Sequence, residues 1–220
     1  MASKIETLAH IPVGQVHVEG MLELPANVQS IVLFAHGSGS SRHSKRNNYV
    51  AQVLQSSGIG TLLMDLLTPE EDSDYQVRFD IPLLTHRLLA ATSWIKAEQQ
   101  TRHLPIGYFG ASTGAAAALQ AAAGFGEEIG AVVSRGGRPD MAGINALESV
   151  KAPTLLLVGG WDDEVITLNR EAYEHLRCTK ELIIIPGATH LFSEPGTLEE
   201  VARQAAEWFG RYLMPAKTVQ

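Results

Sequence analysis

Six short apolar runs recur along this chain of 220 residues, and each is bounded by glycine, proline or polar residues. Continuous runs of branched aliphatic residues are typical of strands that are buried on both faces, as in a parallel sheet. An earlier stretch alternates in polarity, carries Gly20 and predicts an antiparallel hairpin at the sheet edge. The six runs are IVLFA (31–35), TLLMD (61–65), IGYFG (106–110), AVVS (131–134), TLLLVG (154–159) and LIIIP (182–186), and the hairpin is VGQVHVEGMLEL (13–24).

Amphipathic stretches lie between these runs and predict helices. The alternation of strand and helix predicts one α/β domain with a mostly parallel sheet of about eight strands and helices on both faces. The polar loop 66–80 is expected to be mobile. The predicted helices are one capped by Asn47 or Asn48 and ending near Gly58, one starting after Asp80, an alanine-rich one over 113–123, one over about 164–177, and one after a capping box of Thr197 and Glu200.

Composition excludes several classes of function. The net charge of −7 makes binding to nucleic acid through phosphate contacts a poor fit. No apolar run approaches the roughly 18 residues that span a bilayer, and the N-terminus lacks the apolar core of a signal peptide. The single cysteine, Cys178, excludes an intrachain disulfide, and no His/Asp/Glu spacing suggests a metal site. We therefore expect a cytoplasmic protein that needs no metal or other cofactor.

The segment GYFGASTGAAAA, residues 107–118, carries the strongest chemical signal. It contains the pattern G-x-S-x-G, with Ser112 at its centre, between a predicted strand and a predicted alanine-rich helix. A nucleophile elbow requires this setting, because a strained turn exposes the hydroxyl while small neighbours let strand and helix approach closely. The pattern predicts Ser112 as the nucleophile; the alternative is a glycine-rich turn without a catalytic role.

A serine nucleophile needs a general base and an orienting acid, which follow it in the chain order Ser, Asp or Glu, His. Asp162 and His190 fit this order, and each follows a predicted strand. The carboxyl ends of parallel strands share one sheet edge, so we expect the three residues to converge there. Asp162 is favoured over Asp163, because Asp163 or Glu164 would then cap the next helix.

Backbone N–H groups are expected to stabilise the oxyanion of an acyl-transfer reaction. One is the N–H of Thr113, which follows the nucleophile, and the other is that of Ser38 in the loop AHGSGSS, with Gly39 behind it. His36 in the same loop is expected to shape the turn through hydrogen bonds rather than to act as a base. The alternative is a simple glycine and serine loop.

AHGSGS, GASTG, VGGWDDEV and PGATHLF, in that order, resemble the α/β-hydrolase fold over about residues 13–213. Within that fold the chain most resembles the small dienelactone-hydrolase-like branch. The resemblance implies a hydrolase that forms a covalent acyl-enzyme. True dienelactone hydrolases carry a cysteine nucleophile, whereas this chain has Ser112, so a serine esterase is the more natural expectation. Only about 20 residues separate AVVS from TLLLVG, so no lid domain is expected.

Arginines follow two of the predicted strands at the expected site edge. In a chain of net negative charge, local positive charge could attract a carboxylate or phosphate on the substrate. The alternative is solvated surface, with Arg138 paired to Asp140 and Arg135 bracing a loop. Trp161, beside the predicted acid, either lines a wall of the site or belongs to the core. The first group of cations is Arg42, His43, Lys45 and Arg46, and the second is Arg135 and Arg138; Arg42 and Arg135 are the predicted substrate contacts.

The predicted function is a serine hydrolase that cleaves small or medium carboxylic esters or lactones. The expected partner is a small-molecule ester, neutral or anionic, and neither nucleic acid nor a membrane. The chain is expected to be a monomer or a homodimer. Two alternatives stay open: an acyltransferase or thioesterase with the same triad, and a non-catalytic protein of hydrolase fold that binds a ligand.

Overall fold

Eight strands form one sheet in the computed structural model, which describes residues 4–213. In chain order they are β1 (Ile5–Val13), β2 (Val16–Leu24), β3 (Ser30–Ala35), β4 (Ile59–Met64), β5 (Ile106–Ala111), β6 (Ile129–Arg135), β7 (Thr154–Gly159) and β8 (Lys180–Ile185). Their order across the sheet is β1-β2-β4-β3-β5-β6-β7-β8. Strands β3 to β8 run parallel, while β1 and β2 form an antiparallel hairpin whose second strand pairs with β4. The predicted fold class is confirmed.

Seven helices in residues 4–213 cover the two faces of the sheet. They are α1 (Lys45–Ser56), α2 (Pro69–Asp72), α3 (Ile81–Ala97), α4 (Thr113–Phe125), α5 (Ile144–Ser149), α6 (Asp163–His175) and α7 (Thr197–Tyr212). Alternate residues of β3 point to opposite faces: Ile31 and Leu33 join the core beneath α3 and α4, while Val32 and Phe34 join the core beneath α1 and α7. Every residue of β3, β4, β5 and β7 is buried, as the continuous apolar runs predict.

The N-terminal hairpin starts earlier than the alternating pattern predicts. Its register runs from the Ile5–Leu24 pair to the Val13–Val16 pair, so the turn lies at Gly14, where φ is +62°. The segment 13–24 is therefore mostly the second strand, and the expectation of a whole hairpin within it is wrong. The reason is that the first strand is exposed at most of its positions and lacks the apolar run of a buried strand.

Helix starts depend on side-chain caps that the sequence only partly identifies. The Asp80 carboxylate accepts a hydrogen bond from the N–H of Leu83 at 2.9 Å, which confirms the predicted start of α3. The first helix, in contrast, is capped by Ser44, whose hydroxyl oxygen accepts from the N–H of Asn47. The prediction of Asn47 or Asn48 as its cap is wrong, because α1 begins two residues before Asn47.

The segment 66–80 is not an irregular loop. It contains α2, which is closed by a capping box in which Thr68 and Glu71 bond each other's backbone N–H groups. Glu71 also forms an ion pair with Arg87 of α3.

Between β6 and β7 the chain forms only a 3₁₀ turn and α5, so no lid domain is inserted there. None of the helices in residues 4–213 combines the length and apolarity needed to cross a membrane.

Candidate active site

Ser112 occupies the turn between β5 and α4 in a strained backbone conformation. Its φ is 51° and its ψ is −122°, a combination that residues other than glycine seldom adopt. Neighbouring chain holds it there: its N–H donates to the carbonyl of Arg135 at 3.3 Å, and its carbonyl accepts from the N–H of Arg138 at 3.0 Å. The sharp turn at the carboxyl end of a parallel strand has the geometry of a nucleophile elbow.

Glycine is required on both sides of Ser112 because backbone atoms approach very closely there. A Cβ added at Gly110 would lie 2.4 Å from Cα of Ala115 in the next helix. A Cβ added at Gly114 would lie 2.2 Å from the carbonyl oxygen of Ala35 at the end of β3. The G-x-S-x-G pattern thus has a steric cause in this fold, since β5, α4 and β3 meet with no room for a side chain.

His190 and Asp162 meet at the same edge of the sheet. The Nδ1 atom of His190 lies 2.7 Å from Oδ2 of Asp162, and the carboxylate accepts a hydrogen bond from the Nδ1–H. This bond selects the tautomer in which Nε2 is free to accept a proton. His190 lines the same pocket as Ser112. Asp163 is the exposed first residue of α6, so the structure places Asp162 and not Asp163 against the histidine.

A carboxylate that the sequence did not single out fixes the loop of His190. Both carboxylate oxygens of Glu194 accept hydrogen bonds from Thr189, one from its N–H at 3.0 Å and one from its hydroxyl at 2.7 Å. These bonds lower the pKa of Glu194.

The hydroxyl of Thr197, the first residue of α7, donates to the carbonyl of Glu194 at 2.7 Å, and Gly196 is the residue that caps the helix. The predicted capping box of Thr197 and Glu200 is therefore wrong.

The two residues predicted to supply oxyanion N–H groups lie side by side. The N–H of Ser38 donates to Oγ1 of Thr113 at 3.0 Å, which ties the loop after β3 to the first residue of α4. Gly37 allows this approach, because a Cβ there would lie only 3.0 Å from Cβ of Ser112. A substrate oxyanion would have to replace or share the Thr113 hydroxyl as the acceptor of the Ser38 N–H.

His36 is buried and shapes the turn after β3. Its Nδ1–H donates to the carbonyl of Gly37 at 2.9 Å, and its Nε2 accepts from the N–H of Leu66 at 3.0 Å. Burial lowers the pKa of His36, which keeps the ring neutral near pH 7. Both ring nitrogens are engaged with backbone groups, so the ring cannot serve as a base, in agreement with the prediction of a structural role.

A pocket of about 180 Å³ opens over Ser112 and His190. Its size fits a small ligand. None of the lining residues that belong to the described part of the chain is acidic. The polar residues that complete its lining are Ser38, Ser40, Ser44, Arg46 and Arg135.

Arg135, the last residue of β6, is buried at the wall of this pocket and is only 7% exposed. Its Nη2 donates to Oδ1 of Asn47 at 3.3 Å, and its guanidinium lies 5.9 Å from the ring centroid of Phe192. Burial, and then the positive charge of Arg46, lowers the pKa of Arg135 to about 10. The guanidinium thus remains protonated at neutral pH.

Arg42, the other predicted substrate contact, points elsewhere. Its guanidinium forms ion pairs with Asp65 and with Glu19, and it is not among the residues that line the pocket. Both partners come from strands or strand ends of the antiparallel edge, so Arg42 ties the oxyanion loop to that edge. The positive charge of this stretch that does reach the pocket is Arg46, near the start of α1.

Arg138 and Trp161, the other two residues considered as substrate contacts, also lie away from the pocket. Both Nε and Nη2 of Arg138 donate to the carboxylate of Asp140, at 2.9 and 2.7 Å, which confirms the alternative of a local ion pair. Trp161 is 67% exposed and lines neither the pocket nor the core. Its backbone N–H donates to the carbonyl of Ala188 at 2.9 Å, which joins the loops of the acid and the histidine.

Known proteins resemble this chain over most of its length. The sequence model of the dienelactone hydrolase family matches residues 18–213. The crystal structure of a dienelactone hydrolase from Anabaena variabilis ATCC 29413 is 55% identical, covers 96% of this chain and 99% of that chain, and superposes with a TM-score of 0.93. Est1E from Butyrivibrio proteoclasticus is 16% identical, covers 93% of this chain and 98% of its own, and has a TM-score of 0.79, which supports the fold alone.

A longer relative occurs in Mycobacterium tuberculosis, where it is described as a "putative phosphoribosyl transferase". It is 57% identical over 196 residues, which are 89% of this chain and 44% of that protein. The chain thus spans less than half the length of the curated relatives that it matches.

The family match runs from β2 to the end of α7. It therefore includes nearly all of the sheet and the three residues Ser112, Asp162 and His190. The eight-stranded topology and the elbow at Ser112 agree with it. The chain therefore belongs to the dienelactone hydrolase family, a family of hydrolases with the α/β-hydrolase fold.

Proposed function

We propose that this protein is a serine hydrolase that cleaves small or medium-sized carboxylic esters or lactones through an acyl-enzyme on Ser112. The observation that carries the proposal is the 2.7 Å contact between Asp162 and His190 at a pocket that His190 shares with the strained Ser112. The three residues come from turns after β5, β7 and β8, which end at one edge of the sheet. A pocket of about 180 Å³ favours a small substrate.

In the first half of the reaction, Oγ of Ser112 attacks the ester carbonyl while Nε2 of His190 takes the hydroxyl proton. The N–H groups of Thr113 and Ser38 stabilise the oxyanion that forms. The bond to the leaving oxygen then breaks, and His190 donates the proton that it took from Ser112 to that oxygen. Asp162 holds the ring orientation and stabilises the transient imidazolium.

In the second half, water attacks the acyl-enzyme and gives its proton to His190. The carboxylic acid departs as the bond to Oγ breaks, and Oγ of Ser112 recovers its proton from the imidazolium. The acyltransferase and thioesterase alternatives share the acyl-enzyme and differ in the acceptor or the thioester leaving group. Within residues 4–213 no contact favours them over hydrolysis of oxygen esters.

The description of the mycobacterial relative does not lead to a transferase proposal. It applies to a protein of which this chain matches 44%, so the transferase activity it names need not lie in the matched part. The matched residues contain the elbow, the acid and the histidine, which together favour acyl chemistry on an activated serine.

A fluorophosphonate probe tests the proposal without a guess at the substrate, because it labels only an activated serine. Intact mass spectrometry should show one adduct per chain, and peptide mapping should place it on Ser112. Urea-unfolded protein is the control and should not be labelled. A folded protein that takes up no probe would contradict the proposal and favour a non-catalytic, ligand-binding protein of the same fold.

Asp162→Asn should lower kcat for ester hydrolysis by about 10⁴-fold, because the amide favours the wrong tautomer of His190. The matched control is Asp163→Asn, which makes the same change on the next, exposed residue and should alter kcat less than about twofold. Steady-state kinetics on an activated ester checks both. A large loss in the Asp163 variant and none in the Asp162 variant would reverse the assignment of the acid.

A further inference from the structure

A short segment after β6 contacts both Ser112 and His190. The N–H of Arg138 donates to the carbonyl of Ser112 at 3.0 Å and so holds the strained turn from one side. Gly136 packs against His190, because a Cβ added there would lie 3.6 Å from Cε1 of the imidazole and 3.2 Å from the His190 carbonyl oxygen. Residues 136–138, which we call the bridging segment, therefore connect the two residues that exchange a proton in the proposed reaction.

The bridging segment is tightly packed between β6 and α4. A Cβ added at Gly137 would lie 2.0 Å from Oγ of Ser134 and 2.6 Å from Cβ of Ala115, so this position has no room for a side chain. The N–H of Gly136 donates to the carbonyl of Leu157 at 2.8 Å, and its φ of +50° lies in the left-handed region that favours glycine. The first two residues of the segment carry no side chain, so groups from neighbouring elements have to hold them in place.

One buried side chain of α6 holds the middle of the bridging segment. Nδ2 of Asn169 donates to the carbonyl of Gly137 at 3.0 Å, and to the carbonyl of Val165 in its own helix at 2.8 Å. Asn169 is fully buried, and its Oδ1 has no hydrogen-bond partner within residues 4–213. A buried acceptor without a partner costs stability, and an apolar side chain of similar shape would avoid that cost. Packing alone therefore does not account for an asparagine at this position.

The helix that carries Asn169 also starts at the proposed acid. Asp162 is the N-cap of α6, and Asn169 lies two turns further along. We propose that Asn169 is a positioning residue, which fixes the bridging segment through Gly137 and thereby sets the approach of Oγ of Ser112 to Nε2 of His190. The inference rests on the proposed serine hydrolase. Proton transfer needs the two atoms within hydrogen-bond reach, and a displacement of about 1 Å costs about 10²-fold in rate.

Asn169→Leu tests the role, because it removes the donor to Gly137 and keeps a branched side chain of similar size. We expect kcat for an activated ester to fall by about 10²-fold. KM should change less than about threefold, because Asn169 does not line the pocket that holds the substrate. The second-order rate of fluorophosphonate labelling, which measures the reactivity of Ser112 without a deacylation step, should fall by about the same factor as kcat.

Ala172→Gly is the matched control for a loss of stability in α6. Ala172 is buried about one turn after Asn169 and has no side-chain donor that could bond Gly137. Glycine weakens a helix interior, so the control should lower Tm while kcat and the labelling rate stay within about twofold of the wild type. If the leucine variant fails to fold, Asn169→Ala removes the same donor from a smaller side chain, and the same fall in kcat at nearly constant KM is expected.

The labelling rates separate this proposal from the proposed hydrolase. If wild-type Ser112 is labelled and a folded Asn169 variant is labelled equally fast, the hydrolase stands and the positioning role is overturned. An equal fall in the Ala172 variant would overturn the role as well, as would a loss of kcat/KM that lies entirely in KM. A folded wild-type protein that takes up no probe would overturn the hydrolase, and the positioning role with it.

Discussion

Ser112→Ala should lower kcat for an activated ester by about 10⁶-fold, to the residual rate that binding and the oxyanion donors supply. The variant keeps the backbone of the elbow, because alanine retains the Cβ and loses only the hydroxyl. Release of p-nitrophenol, followed over hours with highly purified protein, measures the remainder. Ser93→Ala, which changes an exposed serine of α3, is the matched control and should keep the wild-type rate.

The same assay tests whether Ser112 and His190 act as one unit. His190→Ala should lower kcat nearly as far as Ser112→Ala, and the double variant should be little slower than either single one. Multiplicative losses would mean that the two side chains act independently. Retention of more than about one per cent of activity in Ser112→Ala would contradict the assignment of the nucleophile.

The largest effect on stability is expected for Gly114→Ala. Its new Cβ would lie 2.2 Å from the carbonyl oxygen of Ala35 and 2.5 Å from that of His36, and backbone atoms cannot rotate away as a side chain could. We expect the free energy of unfolding to fall by about 3 kcal/mol or more. For a chain of this size that corresponds to a fall in Tm of roughly 6–12 °C.

Gly210→Ala provides the control for that change. Gly210 lies within α7, and a Cβ there would have nothing within 4 Å. The same substitution should raise stability by up to about 1 kcal/mol, since alanine favours the helix. Thermal unfolding followed by circular dichroism measures both variants. A Gly114 variant that melts within about 2 °C of the wild type would contradict the steric account of the elbow.

Much of the fold follows from local sequence, because buried parallel strands must be apolar on both faces. All six apolar runs are strands, and the residues that follow three of them supply the elbow, the acid and the histidine. Chain order and the shared sheet edge were enough to pair Asp162 with His190. Asp162 is favoured over the neighbouring Asp163 on the expectation of helix capping, and in the structure the Asp162 carboxylate is the one that contacts His190.

What the sequence could not provide depends on contacts between distant segments. Arg42 and Arg46 belong to one basic stretch, and the sequence alone does not distinguish their roles. Their roles differ because Glu19 of β2 and Asp65, just after β4, form ion pairs with Arg42, whereas Arg46 lines the pocket. The part that Glu194 plays in fixing the histidine loop likewise depends on a turn that composition does not reveal.

The pairing of β5 with β6 has a consequence for how the nucleophile responds to changes in the surrounding loops. Ala111 is directly opposite Arg135 across these strands, and Ser112 is the next residue. Neighbouring strands are held about 4.8 Å apart by the sheet itself. The N–H of Ser112 donates to the carbonyl of Arg135, so the backbone of the nucleophile is anchored to the sheet rather than to the surface loops. Substitutions in the surrounding loops should therefore change substrate affinity while the nucleophile keeps its position.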